Sequence, residues 1–205
     1  MRLTAVFEPW HLGDGNYPAF RVGDSARLSF EIGLDEIEPA PPGTMPSVDQ
    51  RQDAEYEFVA DVIRLYAESD GSRFPVLEAG WFRFYIPFGA PPDLEVGDRV
   101  RIRGRLALDH YLWVEFLHQW ADPPDLFYGC RVARIRRVPI PERFVSRTER
   151  SLVHPTTVAA SEYASEAPME LRAVTEELPG PAFFLLDLDL LLPGTGPDRP
   201  SFIGA

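Results

Sequence analysis

The chain of 205 residues contains no lysine, so its twenty basic residues are all arginine. A phosphate-binding loop of the Gly-x-x-x-x-Gly-Lys type is therefore excluded, because that motif depends on a lysine. Together with the 21 prolines, the absence of lysine indicates the codon bias of a GC-rich genome. Arginine then fills surface positions that would hold lysine elsewhere, and an arginine alone does not predict bidentate binding of phosphate or carboxylate.

Cysteine is also scarce, since Cys130 is the only one. An internal disulfide is impossible, and a thiolate zinc site is not expected. The neighbouring Arg131 would lower the pKa of the thiol, but no histidine is spaced to pair with it. The favoured interpretation of Cys130 is a small residue at the start of a strand.

Long apolar segments are missing as well. No run of 18 apolar residues could span a membrane. The first ten residues have neither the apolar segment nor the cleavage site of a signal peptide. The sequence thus predicts a cytoplasmic protein that does not enter a membrane.

Motifs that would identify an enzyme are absent, because the chain has no Gly-x-Ser-x-Gly, His-Glu-x-x-His or dinucleotide fingerprint. The four histidines are scattered: His11, His110, His118 and His154. Asp187 and Asp189 form an Asp-x-Asp pair, as in some divalent-metal sites, but no third ligand follows at a matching spacing. We assign no catalytic residue, cofactor or metal, and an enzyme with an unrecognised site stays an alternative.

Negative charge dominates, with a net charge of −12 that is unevenly distributed. Residues 1–98 carry −11, residues 99–150 carry +5 and residues 151–205 carry −6. A field of this sign repels phosphate and argues against general nucleic-acid binding, although a local basic face remains compatible with it.

Alternating and aromatic-rich segments predict a mainly β protein. Tyr56–Tyr66 fits both a helical stripe and a strand, and its aromatic and β-branched content favours the strand. Strands are predicted at Leu3–Pro9, Ala26–Ile32, Tyr56–Tyr66, Ala79–Pro87, Asp98–Leu108, Tyr111–Phe116, Cys130–Val138 and Pro181–Leu190. Short strands with proline and glycine breaks indicate a small antiparallel barrel or sandwich.

The character of the chain changes near Pro141. We predict a barrel or sandwich domain with an N-terminal hairpin over residues 1–141, and a C-terminal extension over residues 142–205. The extension is expected to hold one helix, Ala164–Leu178, and one strand, Pro181–Leu190, that packs back on the sheet. The tail from Gly194 is expected to be loose.

The most distinctive segment is Asp98–Leu106, in which arginine alternates with Val100, Ile102 and Gly104. At the period of a strand, all four guanidinium groups project from one face about 7 Å apart. We name this set the arginine ladder: Arg99, Arg101, Arg103 and Arg105.

The segment from Leu94 to Leu106, in which a Gly-Asp turn leads into a long strand, resembles OB-folds and related small β-barrels. Gly104 in mid-strand fits the bend that such barrels need. The combination of Trp10, a glycine-rich turn and Phe20-x-Val-Gly-Asp24 also resembles small actinobacterial β proteins, a likeness that brings no known activity.

Two binding functions are compatible with these features. The charge segregation and the absence of catalytic motifs favour a non-catalytic module that contacts a partner protein, whose identity and stoichiometry the sequence does not give. The OB-like resemblance implies an alternative, single-strand nucleic-acid binding, in which the arginines hold phosphates and aromatic rings stack on bases. The candidate ligand-binding residues are the arginine ladder together with Trp81, Tyr85 and Trp113. The ladder could instead pair with acids such as Glu57, Asp61 or Glu115.

Overall fold

The computed structural model of the chain describes residues 1–8, 10–13, 17–67, 73–109, 122, 124–140, 168–174 and 182–191. Nearly all regular structure in this part is β, as predicted. Its elements are β1 (Arg2–Phe7), a single helical turn α1 (Trp10–Gly13), β2 (Ser25–Leu28), β3 (Phe30–Pro39), β4 (Ser47–Gln52), β5 (Glu55–Ala67), β6 (Arg73–Ala79), β7 (Phe82–Tyr85), β8 (Arg99–Leu108), β9 (Tyr128–Pro139), β10 (Met169–Leu171) and β11 (Ala182–Leu190).

The chain divides into two compact units. Ser29–Leu126 forms one continuous unit, which we call the barrel unit. Met1–Leu28 and Phe127–Ala205 together form the other, which we call the split unit. No helix in the described part is long and apolar enough to cross a membrane.

Five strands of the barrel unit close into a ring. β3 pairs with β8, β8 with β5, β5 with β6, and β6 with β7, all antiparallel. The ring closes where β7 meets β3 in parallel, at Tyr85 and Glu31. The prediction of a small barrel is therefore confirmed, but the barrel is mixed and not purely antiparallel as we expected. Six further strands lie outside the ring.

Aromatic rings fill the interior of the barrel. Phe58 lies 4.6 Å from Phe84 and 6.2 Å from Phe82 between ring centroids, and Phe30 lies 5.6 Å from Phe82. All four rings are fully buried, and each contributes about 1.5–3 kcal/mol through burial of apolar surface. The segment Tyr56–Tyr66 is the long strand β5, because its alternate residues Tyr56, Phe58, Ala60 and Val62 face this core.

Two neighbouring strands approach each other closely at Gly104. A Cβ atom on Gly104 would lie 2.5 Å from the carbonyl oxygen of Gly33 on β3 and 2.7 Å from Cγ2 of Ile32. Only a glycine lets β8 pass this close to β3, so the expected role of Gly104 at a bend of the barrel has a steric basis.

The split unit is an antiparallel sheet centred on β11. β11 lies between β1 and β9, and the far side of β9 pairs with β2 at one end and with β10 at the other. The strand predicted at Pro181–Leu190 is therefore confirmed, and it pairs on both sides.

Several predicted boundaries were wrong. The segment Ala26–Ile32 is interrupted at Ser29 and contributes to both β2 and β3. Within Ala79–Pro87, Gly80 and Trp81 form a two-residue hairpin turn between β6 and β7, with Gly80 at a φ of 69°. That value is in the left-handed region, which glycine adopts without strain.

The C-terminal helix predicted at Ala164–Leu178 was also wrong where the structure describes that segment. Residues 168–174 hold the short strand β10, which pairs with β9, and no helix. The apolar stripe of this segment is too weak to stabilise a helix, and pairing with β9 makes the segment a strand instead. The predicted strand Tyr111–Phe116 and the tail from Gly194 lie outside the described residues.

Candidate functional site

The arginine ladder lies on β8, with its side chains on the outer face of the barrel. The alternate residues Val100, Ile102, Gly104 and Leu106 are buried, as the period of a strand requires. The two strands that flank β8 are β3 and β5, and both present carboxylates to it. Each arginine therefore has acids at hydrogen-bonding or ion-pair distance.

At the first position, Arg99 donates to both carboxylate oxygens of Asp61, at 2.6 and 2.9 Å, and to the carbonyl oxygen of Thr44 at 3.0 Å. Such a two-pronged contact uses the planar fork of the guanidinium fully. The pKa of Arg99 is raised, first by the hydrogen bond from its guanidinium to Asp61.

Further along β8, the acidic partners come from both neighbouring strands. Arg101 donates to Glu38 on β3 at 3.2 Å. Arg103 donates to Glu36 on β3 at 3.2 Å and to Glu57 on β5 at 3.1 Å.

Arg105, unlike the other three ladder arginines, is buried. It lies 3.6 Å from a carboxylate oxygen of Glu55. A ligand would reach its guanidinium only if the surrounding side chains moved.

Among the ion pairs of the described residues, Glu57 is the carboxylate with the most arginine neighbours. It contacts Arg51 at 2.9 Å and Arg103 at 3.1 Å, and lies 3.9 Å from Arg101. Hydrogen bonds from Arg51 and Arg103 lower the pKa of Glu57. The interpretation that Glu57 and Asp61 pair with the ladder is thus confirmed, whereas Glu115 lies outside the described residues.

The two predicted aromatic partners that the structure describes, Trp81 and Tyr85, are not grouped beside the ladder. Trp81 is 50% exposed at the β6–β7 turn, and neither β6 nor β7 pairs with β8. Tyr85 is fully buried and offers no ring face to a base. Trp113 lies outside the described residues.

The hydroxyl of Tyr85 lies between two buried carboxyl groups. It donates to Asp109 Oδ1 and lies 2.9 Å from Glu31 Oε2. Asp109 also accepts a hydrogen bond from Ser29 Oγ at 3.1 Å. Burial raises the pKa of Tyr85 well above its ordinary value, and the two carboxylates raise it further. Tyr85 therefore stays neutral and connects the start of β3 to the ends of β7 and β8.

A cleft of about 300 Å³ lies beside the Arg99 end of the ladder. We call it the acidic cleft, because three of its four charged residues are carboxylates: Glu38, Asp93 and Asp98, against Arg99. The remaining wall is apolar and consists of Ile37, Pro39, Pro91, Leu94 and Val100.

The two aspartates considered as metal ligands, Asp187 and Asp189, both bind arginine side chains of the protein. Asp187 Oδ1 accepts from Thr4 Oγ1 at 2.8 Å and from Arg136 at 3.0 Å. Asp189 receives two hydrogen bonds from Arg2, at 2.8 and 3.0 Å, which lower its pKa. Within the residues that the structure describes, no group of three potential ligands could hold a metal ion.

The nucleophile candidate Cys130 is buried at the start of β9. Burial raises the pKa of its thiol to about 12, so the expectation that Arg131 lowers this pKa was wrong. His11 packs in an aromatic cluster, 5.2 Å from Phe7 and 5.3 Å from Tyr17 between ring centroids. The other three histidines lie outside the described residues.

The charge of the chain is concentrated in the barrel unit, which sequence order did not reveal. Residues 29–126 contain eight arginines and nineteen carboxylates, a net charge of −11, which leaves −1 for the split unit. The four arginines outside the ladder are also engaged: Arg51 with Glu57, Arg64 with Asp122, Arg83 with Glu78, and Arg73 with the carbonyl oxygens of Pro92 and Leu94. The positive charge of the four ladder arginines is thus neutralised on the barrel by acids that are distant in sequence.

No protein family, curated protein or solved structure matches this chain. Its own geometry therefore carries the functional argument.

Proposed function

We propose that the chain is a non-catalytic binding module whose barrel unit holds a basic partner protein. One observation carries the proposal. The barrel unit has a net charge of −11, while each of its eight arginines is engaged by a carboxylate or a backbone carbonyl.

The engagement of the arginines matters because it decides which ligand the surface favours. An incoming phosphate would have to displace a carboxylate from every ladder arginine and approach against the overall field. A cationic surface is attracted by the same field, which speeds encounter and selects against acidic partners. The charge distribution thus favours a basic protein over nucleic acid.

The resemblance to OB-folds has support from the order of strand pairing. If β3 is counted as the last strand, the ring runs in the order 1-2-3-5-4, with the parallel pair between strands 3 and 5, as in an OB-fold. We propose that the barrel is an OB-like barrel with its last strand moved to the front of the chain.

This likeness keeps single-strand nucleic-acid binding as a second candidate. OB-folds bind oligonucleotides on the face of their strands 2 and 3, which correspond to β6 and β7. On these strands Arg83 is paired with Glu78 at 2.5 Å and Tyr85 is buried, so Trp81 at the turn is the aromatic ring left for stacking.

Affinity capture from the source organism tests the main proposal, with reconstitution from purified proteins as the second step. We expect a stoichiometric partner of high isoelectric point, and a purified complex whose affinity falls steeply as salt rises from about 0.05 to 0.5 M because the Debye length shrinks several-fold. If capture returns no stoichiometric partner, or if the partner is acidic, the proposal is wrong.

Fluorescence anisotropy with a labelled single-stranded oligonucleotide tests the second candidate. The main proposal expects no binding at low salt. Saturable binding that is abolished by Trp81→Ala would instead favour the nucleic-acid function, because stacking on one exposed ring contributes about 1–3 kcal/mol per base.

A further inference from the structure

We infer that the acidic cleft receives one basic side chain, arginine or lysine, from the partner protein. This inference rests on the proposed function and specifies where on the barrel unit the partner docks. Four properties of the described residues support it: the apolar wall, the charge of the rim, the hydrogen bonds that fix the loop on one side, and two exposed apolar residues connected to the lining.

The apolar wall suits the stem of a long basic side chain. Pro39, Leu94 and Val100 line a cleft of about 300 Å³, which is at the lower end of the range for ligand pockets and is large enough for one long side chain. Lysine and arginine bury their methylene stems against apolar surface while the charged end stays near water or acids. An acidic patch on a flat polar surface would lack this wall.

The rim supplies the charge that such a cation needs. Glu38, Asp93 and Asp98 line the cleft. Asp98 Oδ2 accepts a hydrogen bond from the backbone N–H of Glu95 at 2.8 Å, which fixes the orientation of this carboxylate. The single cation at the rim, Arg99, is held by both oxygens of Asp61. Glu38 is paired with Arg101 at 3.2 Å, so the net negative charge at the rim comes from Asp93 and Asp98, and it favours a cation and disfavours an anion.

The loop that forms one side of the cleft is fixed in place. Arg73 donates to the carbonyl oxygens of Pro92 and Leu94. Gly97 N–H donates to Val62 O at 2.8 Å, and Val62 N–H donates to Asp98 O at 2.9 Å. Because these bonds within the chain fix the loop, a partner would lose little free energy in ordering the site.

Two exposed apolar side chains are connected to the cleft, one through the chain and one through Arg99. Val96, 60% exposed, lies between the lining residues Leu94 and Asp98. Met45, 75% exposed, follows Thr44, whose carbonyl oxygen is bonded to Arg99. The apolar wall of the cleft suits the methylene stem of a basic side chain, which argues for a side chain of a protein and against a free small cation.

Nuclear magnetic resonance with N-acetyl-arginine amide as the probe tests the inference on the full chain. We expect saturable shifts of the backbone amides of Leu94, Asp98 and Val100. N-acetyl-citrulline amide, which has nearly the same shape without the charge, is the matched probe and should leave these amides unshifted. Equal shifts with both probes, or arginine-induced shifts confined to the Glu57 region, would overturn the inference.

Two variants of equal charge sharpen the test. Asp93→Asn removes a carboxylate at the cleft and should weaken binding of N-acetyl-arginine amide about threefold or more, which corresponds to about 0.7 kcal/mol. Asp49→Asn removes one exposed carboxylate on β4 and should leave the affinity unchanged. Equal weakening by both variants would indicate a general field effect and would contradict a specific site.

Binding of the captured partner distinguishes a failure of the cleft from a failure of the proposed function. If a basic partner binds stoichiometrically but shifts no amide of the acidic cleft, the cleft is wrong while the proposed function stands. If neither a basic partner nor the arginine probe binds, both are wrong.

Discussion

Glu57 contacts three arginines of two strands, so protonation of its carboxylate weakens several ion pairs at once. Its pKa is lowered in the folded chain by hydrogen bonds from Arg51 and Arg103. A lowered folded-state pKa means that the stabilisation is present above the ordinary glutamate pKa of about 4.3 and is lost as the pH falls through the folded value.

We expect Glu57→Gln to lower the free energy of unfolding at pH 7 by about 0.5–1 kcal/mol, the usual range for a partly exposed ion pair. The difference between variant and wild type should shrink as the pH falls below about 4, because the unfolded chain is then protonated at Glu57 while the folded chain takes up that proton only at lower pH. Urea unfolding monitored by fluorescence between pH 3 and 7 measures both effects. A difference that stays constant over this range would contradict the ion-pair role.

Tyr85 is the residue whose hydroxyl connects the three strands at the closure of the barrel. Tyr85→Phe removes the hydroxyl and leaves the carboxyl groups of Glu31 and Asp109 buried with one partner fewer. We expect a loss of about 1–3 kcal/mol in the free energy of unfolding, the cost of a lost buried hydrogen bond. Ser29→Ala, which affects Asp109 alone, is the matched comparison in the same urea experiment and should cost less.

Cys130 is expected to be chemically inert in the folded protein. Its thiol is buried and has a pKa raised to about 12, so at pH 8 almost none of it is the reactive thiolate. A thiol-specific chromogenic reagent should label no cysteine in the native protein and one per chain in denaturant. Rapid native labelling at pH 8 would contradict both the burial and the raised pKa.

At the scale of elements, Gly104 decides whether β8 and β3 can lie side by side. Gly104→Ala places a methyl group against the carbonyl oxygen of Gly33, and backbone atoms cannot move aside as a flexible side chain can. We expect a loss of about 1–3 kcal/mol in the free energy of unfolding, as for other overpacked sites.

The control for this prediction is Gly43→Asn. Gly43 has a φ of 79° with no atom within 4 Å of an added Cβ, and asparagine tolerates the left-handed region. We expect this exchange to cost less than Gly104→Ala when both are unfolded in urea. An equal cost for the two exchanges would show that the close approach to Gly33 is not what Gly104 provides.

Strands with a strong local pattern were predictable from the sequence, and those defined by their neighbours were not. β8 alternates between polar and apolar residues over most of its length, so its position followed from the pattern, whereas β5 was assigned from its aromatic and β-branched content. β4 reads Ser-Val-Asp-Gln-Arg-Gln and is a strand because it pairs with β5. β6 contains Pro75 and is buried on both faces, which removes the alternation. The parallel closure at Glu31 and Tyr85 is long-range and has no local signal.

In the candidate site, too, the local features were predictable from the sequence and those that depend on distant strands were not. The direction of the ladder arginines followed from the period of the strand, and Glu57 and Asp61 were identified as candidate partners. The acidic cleft was not predictable, because its walls come from β3, from the 91–94 loop and from the start of β8, and their proximity depends on the closure of the barrel. The burial of Tyr85 likewise depends on that closure.

At the scale of the whole molecule, the barrel unit is continuous in sequence and contains every strand of its ring. We expect the fragment 29–126, produced alone, to unfold cooperatively in urea with the near-ultraviolet dichroism of packed aromatic rings. The fragment 127–205, which lacks β1 and β2, should show no cooperative transition. A fragment 29–126 without a cooperative transition would show that the ring does not fold alone.

The split unit is formed by two separate stretches of the chain, so its strands are synthesised at different times. β1 precedes the barrel unit in the chain, yet its antiparallel partner is β11, in which Asp189 pairs with Arg2. The last residue of the barrel's ring, Leu108, emerges about 80 residues earlier, which corresponds to roughly 4–16 s at typical elongation rates of about 5–20 residues per second. During that interval β1 is without its partner β11, whereas all five strands of the barrel, which lies between them in sequence, have already been synthesised.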